Sequence, residues 1–174
     1  PDSLSAVQKL RRAAMARPYR RSHAQFVFPS ERTLQRHLKL GFDVSPERLH
    51  VVPHGWDLGT PEVGSTHSPD PTGVTFCFLG KFSVDKGVRD ILDAWGAGLP
   101  GARLIFAGAG ELEEEVRTAA IQIPGIEFWG WVGSRERAEL LRVSDALILA
   151  SQWPENSPLV AAEAHLSGTA IVTS

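Results

Sequence analysis

From Gly73 onward the chain alternates short, almost wholly apolar runs with longer amphipathic stretches, and that rhythm leaves few folds open. The apolar runs cover residues 74–79, 103–107, 126–129, 146–149 and 170–172; the amphipathic stretches between them cover 88–95, 111–121, 134–143 and 158–167. A strand that is apolar at nearly every position needs burial on both faces, which a parallel sheet covered by helices provides. The expected fold class is therefore α/β, a Rossmann-like parallel sheet with helices on both faces. Such sheets bind ligands at the carboxyl ends of their strands. That rule singles out Gly80-Lys81, Gly108-Ala109-Gly110, Gly130-Trp131 and residues 152–158. The sequence stops at Ser174 directly after a strand, so the sheet is expected to be incomplete.

The first third reads differently. Residues 3–17 have the spacing of an amphipathic helix with a basic face, and 24–28 read as a strand. Ser30 should cap a helix that Gly41 stops, and 49–52 form another strand ended by Pro53-His54-Gly55. Residues 58–72 are rich in Gly, Pro, Ser and Thr, as linkers are. The expected division is a first domain over 1–57, a linker over 58–72 and a second domain over 73–174.

Composition narrows the chemistry. With 174 residues, 43% of them hydrophobic, the chain can bury a real core, and a net charge of −2 offers no reason for a nucleic-acid partner. The single cysteine, Cys77, lies in an apolar run and reads as a small core residue, which leaves no disulfide framework or CxxC site. No apolar run approaches the roughly 20 residues of a membrane span. The aspartates form no D-x-D pair and the histidines no H-x-x-x-H pair, so neither a metal nor a cofactor is expected. A G-x-S-x-G elbow is missing, which argues against serine hydrolysis. In Gly108-Ala109-Gly110 the third glycine of a dinucleotide fingerprint is replaced by Glu113, and the motif reads as a tight turn.

The chemistry concentrates in residues 153–163, Trp-Pro-Glu-Asn-Ser-Pro-Leu-Val-Ala-Ala-Glu. Pro158 suits the first position of a helix and Ser157 the N-cap before it. The amides of Leu159 and Val160 then have no partner inside the helix, and a helix start of this kind attracts phosphate. Glu155 and Glu163 flank that pole, and carboxylates accept hydrogen bonds from hydroxyl groups. A phosphate cradle between two hydroxyl-binding groups has the layout of a nucleotide sugar. Helix-start glutamates also stabilise with no ligand present, so capping stands as the plainer alternative. Lys81 and Lys86, in the Gly80–Gly87 loop, suit a diphosphate, although the loop lacks the P-loop pattern and solvated lysines are the simpler reading. Trp131 suits either core packing or the flank of a nucleobase.

In shared order and spacing these residues resemble the retaining glycosyltransferases of the GT-B type, family 4-like, also known as glycosyl transferases group 1. The resemblance runs from about His23 to Ser174. It rests on Phe28-Pro29-Ser30, Val51-Val52-Pro53-His54-Gly55-Trp56-Asp57, Phe78-Leu79-Gly80-Lys81, Lys86-Gly87, Phe106-Ala107-Gly108-Ala109-Gly110, Phe128-Trp129-Gly130-Trp131-Val132, Ser144-Asp145-Ala146 and the E-x7-E spacing of Glu155 and Glu163. The resemblance implies that 1–57 close an acceptor domain and that 73–174 form a donor-binding domain. It implies a catalytic group of Glu155, Lys81 and Lys86. Glu155 would hold the donor sugar, and the lysines the diphosphate. Glu163 would hold the ribose, the backbone near Trp131 the base, and Gly80, Asn156, Ser157, Leu159 and Val160 would complete the site. The implied donor is a UDP-, GDP- or ADP-sugar, and the implied acceptor a saccharide or lipid-linked molecule in polysaccharide or glycolipid biosynthesis. The parent would be a hexosyltransferase with no bound metal, in the cytoplasm or at the inner face of the membrane, and the fragment alone inactive. The family usually carries Arg where Lys81 stands, and Lys cannot clamp a phosphate in bidentate fashion. A nucleotide-sugar epimerase and a non-catalytic nucleotide-sugar-binding module are the alternatives.

Overall fold

The computed structural model describes residues 22–54, 73–96 and 98–173, with isolated positions 5, 7, 11, 14, 18 and 19. Apart from those isolated positions, the basic helix expected over 3–17 lies outside the described residues, and so does the linker expected over 58–72. The chain divides into two compact units, Pro1–Asp57 and Leu58–Ser174.

In the first unit, strand β1 (Phe26–Phe28) pairs in parallel with β2 (Leu49–Val51), and helix α1 (Glu31–Lys39) connects them. Ser30 caps α1 as its sequence suggests: it is extended, and its Oγ accepts the Thr33 amide at 3.2 Å. Phe26, Phe28 and Phe42 pack edge-on into a small aromatic core.

The second unit runs β3 (Val74–Leu79), α2 (Val88–Trp95), β4 (Ala102–Ala107), α3 (Glu113–Gln122), β5 (Ile126–Gly130), α4 (Ser134–Val143), β6 (Ala146–Leu149), α5 (Leu159–Ser167) and β7 (Ala170–Thr173). Its five strands are all parallel, in the order β5-β4-β3-β6-β7. Successive side chains of a strand point to opposite faces, and both faces here are apolar. Phe78, Leu104 and Phe106 pack with Val88, Ile91 and Trp95 of α2 and Val116 of α3. Cys77, Ile105 and Leu147 pack with Leu140 and Leu141 of α4 and Ala164 of α5. Continuous apolar strands thus fill two cores, one on each side of the sheet. Cys77 is fully buried, and burial pushes its thiol up to about 11 against the lowering effect of a hydrogen bond from Ser144. It is a core residue.

Two helix starts differ from the sequence reading. Helix α3 begins at Glu113 rather than at 111, because the Leu112 amide donates to the Phe82 carbonyl at 3.1 Å and its side chain is buried. Those two ties hold the chain in a turn before the helix can start. Helix α5 begins at Leu159, with Pro158 rather than Ser157 at the N-cap. The proline ring keeps Ser157 out of helical conformation, and Pro158 itself stays extended at ψ 111°. Pro158 has no side-chain donor or acceptor, so the helix start lacks a side-chain cap.

The chain builds outward from β3 through β4 to β5, then crosses back to place β6 on the other side of β3. Loops leaving β3 and β6 diverge at that reversal and open a crevice between them. At the opposite ends of the same strands, Asp145 ties the sheet together: its carboxylate accepts the Thr75 amide at 2.7 Å, and its own amide donates to the Thr75 carbonyl at 2.8 Å.

Candidate functional site

A cleft of about 550 Å³ occupies the crevice. Each of four strand ends contributes to it: Gly80, Lys81 and Lys86 follow β3, Gly108 and Ala109 follow β4, Trp131 and Val132 follow β5, and Ser151, Glu155, Ser157 and Pro158 follow β6. Leu159, Val160 and Glu163 of α5 and Arg137 of α4 close it. A second groove, of about 620 Å³, lies between α2 and α3. It is lined by Asp93, Glu114 and Glu115 with no cation among its lining residues, so it would repel an anion.

One wall of the cleft is built by close backbone packing. Gly87 has φ +70°, and a Cβ there would lie 2.0 Å from the Ala150 carbonyl oxygen. A Cβ on Gly108, at φ +148°, would lie 1.8 Å from the Gly80 carbonyl oxygen. The Phe82 amide donates to the Ala109 carbonyl at 2.9 Å. Only glycine permits contacts this close, so the loop after β3 rests directly on the loop after β4 and on the end of β6.

The other wall is built from charge. Lys86 Nζ donates to Glu155 Oε1, and Ser151 Oγ donates to the same oxygen at 2.6 Å. The Gln152 amide donates to the Asp85 carbonyl at 2.9 Å, which fastens the loop of Glu155 to the loop of Lys86. Burial works to raise the Glu155 pKa, but the hydrogen bonds from Lys86 and Ser151 and the lysine charge outweigh it and hold the carboxyl below its ordinary 4.5. Glu155 is therefore ionised at neutral pH.

Deeper along α5, Glu163 Oε2 lies 3.4 Å from Arg137 Nε. Lys81 forms no close ion pair among the described residues, although its charge helps to lower the Asp85 pKa, and the lining residues carry three cations, Lys81, Lys86 and Arg137, against two carboxylates, Glu155 and Glu163. The Ala161 amide donates to the Pro158 carbonyl at 3.1 Å, whereas the Leu159 and Val160 amides precede the first intrahelical bond. Trp131 is 78% exposed at the rim, so core packing does not describe it.

Of the site residues singled out in the sequence, Gly80, Lys81, Lys86, Trp131, Glu155, Ser157, Leu159, Val160 and Glu163 come together here, while Asn156 is not among the lining residues. Sequence reasoning missed Arg137 and Ser151. Arg137 sits in a charged run, Ser134-Arg135-Glu136-Arg137, that reads as a solvated helix surface, and only the packing of α4 beside α5 brings it to the cleft. Ser151 could have been found, since it lies four residues before Glu155 in the same loop. Among the described residues, no three His, Cys, Asp or Glu side chains group as metal ligands, and no helix is long and apolar enough to cross a membrane.

Comparison with known structures returns the same architecture. The Anabaena protein Alr3699/HepE, solved in complex with UDP-glucose, superposes with a TM-score of 0.71 at 18% identity, covering 95% of this chain and 48% of that one. WaaG, a glycosyltransferase involved in lipopolysaccharide biosynthesis, gives 0.67 at 16% identity, covering 88% and 45%. AviGT4, a glycosyltransferase involved in avilamycin A biosynthesis, gives 0.64 at 24% identity, covering 85% and 44%. The chain spans somewhat under half the length of each, and its parallel sheet with helices on both sides matches their GT-B Rossmann-like domain. No curated protein sequence matches the chain. The sequence pattern of the family described as Glycosyl transferases group 1 matches residues 73–174. That stretch is more than half of the chain and contains every residue of the cleft, so the chain belongs to the glycosyl transferases group 1 family.

Proposed function

We propose that the cleft binds a nucleoside-diphosphate sugar and that residues 73–174 are the donor-binding part of a glycosyltransferase. The observation that carries this reading is the meeting, at one strand-end crevice, of two lysines, an uncapped helix start and two carboxylates held by cations. Lys81, Lys86 and the amides of Leu159 and Val160 hold the diphosphate. Glu155 accepts hydrogen bonds from the sugar hydroxyls, Glu163 from the ribose, and Trp131 flanks the base. As the bond between sugar and diphosphate breaks, negative charge grows on the departing phosphate oxygens, and the lysines are placed to stabilise it. In the full-length protein the sugar passes, with retention of anomeric configuration, to a saccharide or lipid-linked acceptor.

Three results support the reading: the family match, the strand-end position of the cleft, and a UDP-glucose complex among the structural neighbours. Fold alone does not certify chemistry. The test is thermal melting of the chain with UDP, GDP and ADP. A ligand at about 100 times its Kd stabilises the folded state by roughly 2.7 kcal/mol, so the correct nucleotide raises Tm and the others do so less. If none of the three binds this chain or the full-length protein, the reading is wrong. For the full-length protein, product analysis separates transfer from epimerisation: an epimerised donor formed without any acceptor would sink the transferase reading.

A further inference from the structure

Arg137 lies in the first turns of α4 and Glu163 in the middle of α5, and their side chains meet at the cleft with Nε 3.4 Å from Oε2. At this separation the two groups form an ion pair rather than a hydrogen bond. Among the described residues neither side chain forms an ion pair with a third residue, and both line the cleft where a ligand can reach the Glu163 carboxylate. A free glutamate on a helix surface samples several rotamers and a broad terminal torsion, and binding a ligand through it means giving that freedom up. An arginine reaching across from a neighbouring helix removes much of it beforehand.

We infer that Arg137 is a positioning residue for Glu163: through their ion pair it holds the carboxylate toward the ribose hydroxyls of a bound nucleoside diphosphate. This inference rests on the nucleotide-sugar reading of the cleft and deepens it. Lys86 and Ser151 do the same for Glu155, so each hydroxyl-binding carboxylate of the cleft is held by a basic side chain from another element. The charge balance agrees. Glu163 lies near the helix pole that attracts phosphate, and an unneutralised carboxylate there would repel the diphosphate. With Arg137 beside it, that repulsion is offset and Lys81 keeps its attraction for the diphosphate.

The test compares the ribose with its absence. Take whichever of UDP, GDP and ADP the chain binds most tightly, together with its 2′,3′-dideoxy counterpart, and titrate both into the wild type, R137A, R137K and E163Q. Immobilising a side chain on binding accounts for about a three- to tenfold change in affinity. R137A is therefore expected to weaken the natural nucleotide by that factor and to leave the dideoxy ligand nearly unchanged. R137K should recover part of the loss, because charge returns without the planar fork. In E163Q, adding R137A should cost nothing further. An equal loss for both ligands would show that Arg137 touches the diphosphate or the base, or only supports the fold, and would overturn the inference. So would no loss for either. Both outcomes leave nucleotide binding by the wild type intact, whereas a wild type that binds none of the three overturns the nucleotide reading and this inference with it.

Discussion

The two walls of the cleft are held in place by opposite means. On the side of Gly80 to Gly87, backbone presses on backbone, and the geometry depends on what is missing: no Cβ fits at Gly87 or Gly108. On the side of Ser151 to Glu163, side chains reach across from other elements, and the geometry depends on charges: Lys86 on Glu155, Arg137 on Glu163. A wall of the first kind is as rigid as the sheet it rests on and indifferent to pH. A wall of the second kind responds to pH and to any anion that competes for its lysine or arginine. The cleft therefore combines a wall fixed by backbone packing with a wall held by ion pairs.

The largest expected effect breaks the rigid wall. Gly87→Ala places a methyl group 2.0 Å from the Ala150 carbonyl oxygen at a left-handed φ of +70°. The conformational penalty of about 1–2 kcal/mol and an overpacking cost of about 1–3 kcal/mol together predict a loss of roughly 2–5 kcal/mol in chemical denaturation. Gly101→Ala is the control, because Gly101 has a similar φ of +73° with nothing within 4 Å of the added carbon. It should cost only the conformational part. Equal losses for the two would mean that the close approach at Gly87 contributes nothing.

Next in size is the loss of a charge from the adjustable wall. Lys86→Ala removes a charge-assisted donor worth about 1.5–3 kcal/mol, so diphosphate affinity should fall about tenfold or more by calorimetric titration. Folding should suffer less, because Lys86 and Glu155 are both about one-third exposed and water screens what remains. An unchanged affinity would remove Lys86 from the phosphate site and leave it only as the partner of Glu155.

What the sequence disclosed follows the same division. The strands of the second unit could be located to within a residue, because burial on both faces leaves Thr75 as the one polar residue in Val74–Leu79 and none in Ala146–Leu149. The strand-end rule then placed Lys81, Trp131 and Glu155 at one edge before any contact was known. Ion-pair partners were less legible. Glu155 and Glu163 are visible as a spacing, but which cation meets which carboxylate depends on how α4 packs beside α5 and how the loop after β3 folds over β6. Arg137, among charged neighbours on an amphipathic helix, carries no sequence mark that separates it from Arg135. The glycines are a middle case. Gly108-Ala109-Gly110 reads as a tight turn, and its tightness proves to serve the contact between neighbouring loops rather than the local bend alone.

The smallest expected effect separates the walls by pH. The Glu155 carboxyl is held below its ordinary 4.5 in the folded chain, so folding favours its ionised form. For such a group the added stability is fully present above the unfolded pKa and is lost as the pH falls through the folded value. In Glu155→Gln that contribution is gone at every pH. The gap in Tm between wild type and Glu155→Gln should therefore be open at pH 7, narrow once the pH drops below about 4.5, and close when the wild-type carboxyl is protonated. Gly101→Ala, whose penalty is purely conformational, should show a gap that does not change over the same range. A constant gap for Glu155→Gln would mean that Lys86 and Ser151 stabilise the neutral side chain as well as the charged one. The adjustable wall would then owe its shape to packing, as the rigid wall does.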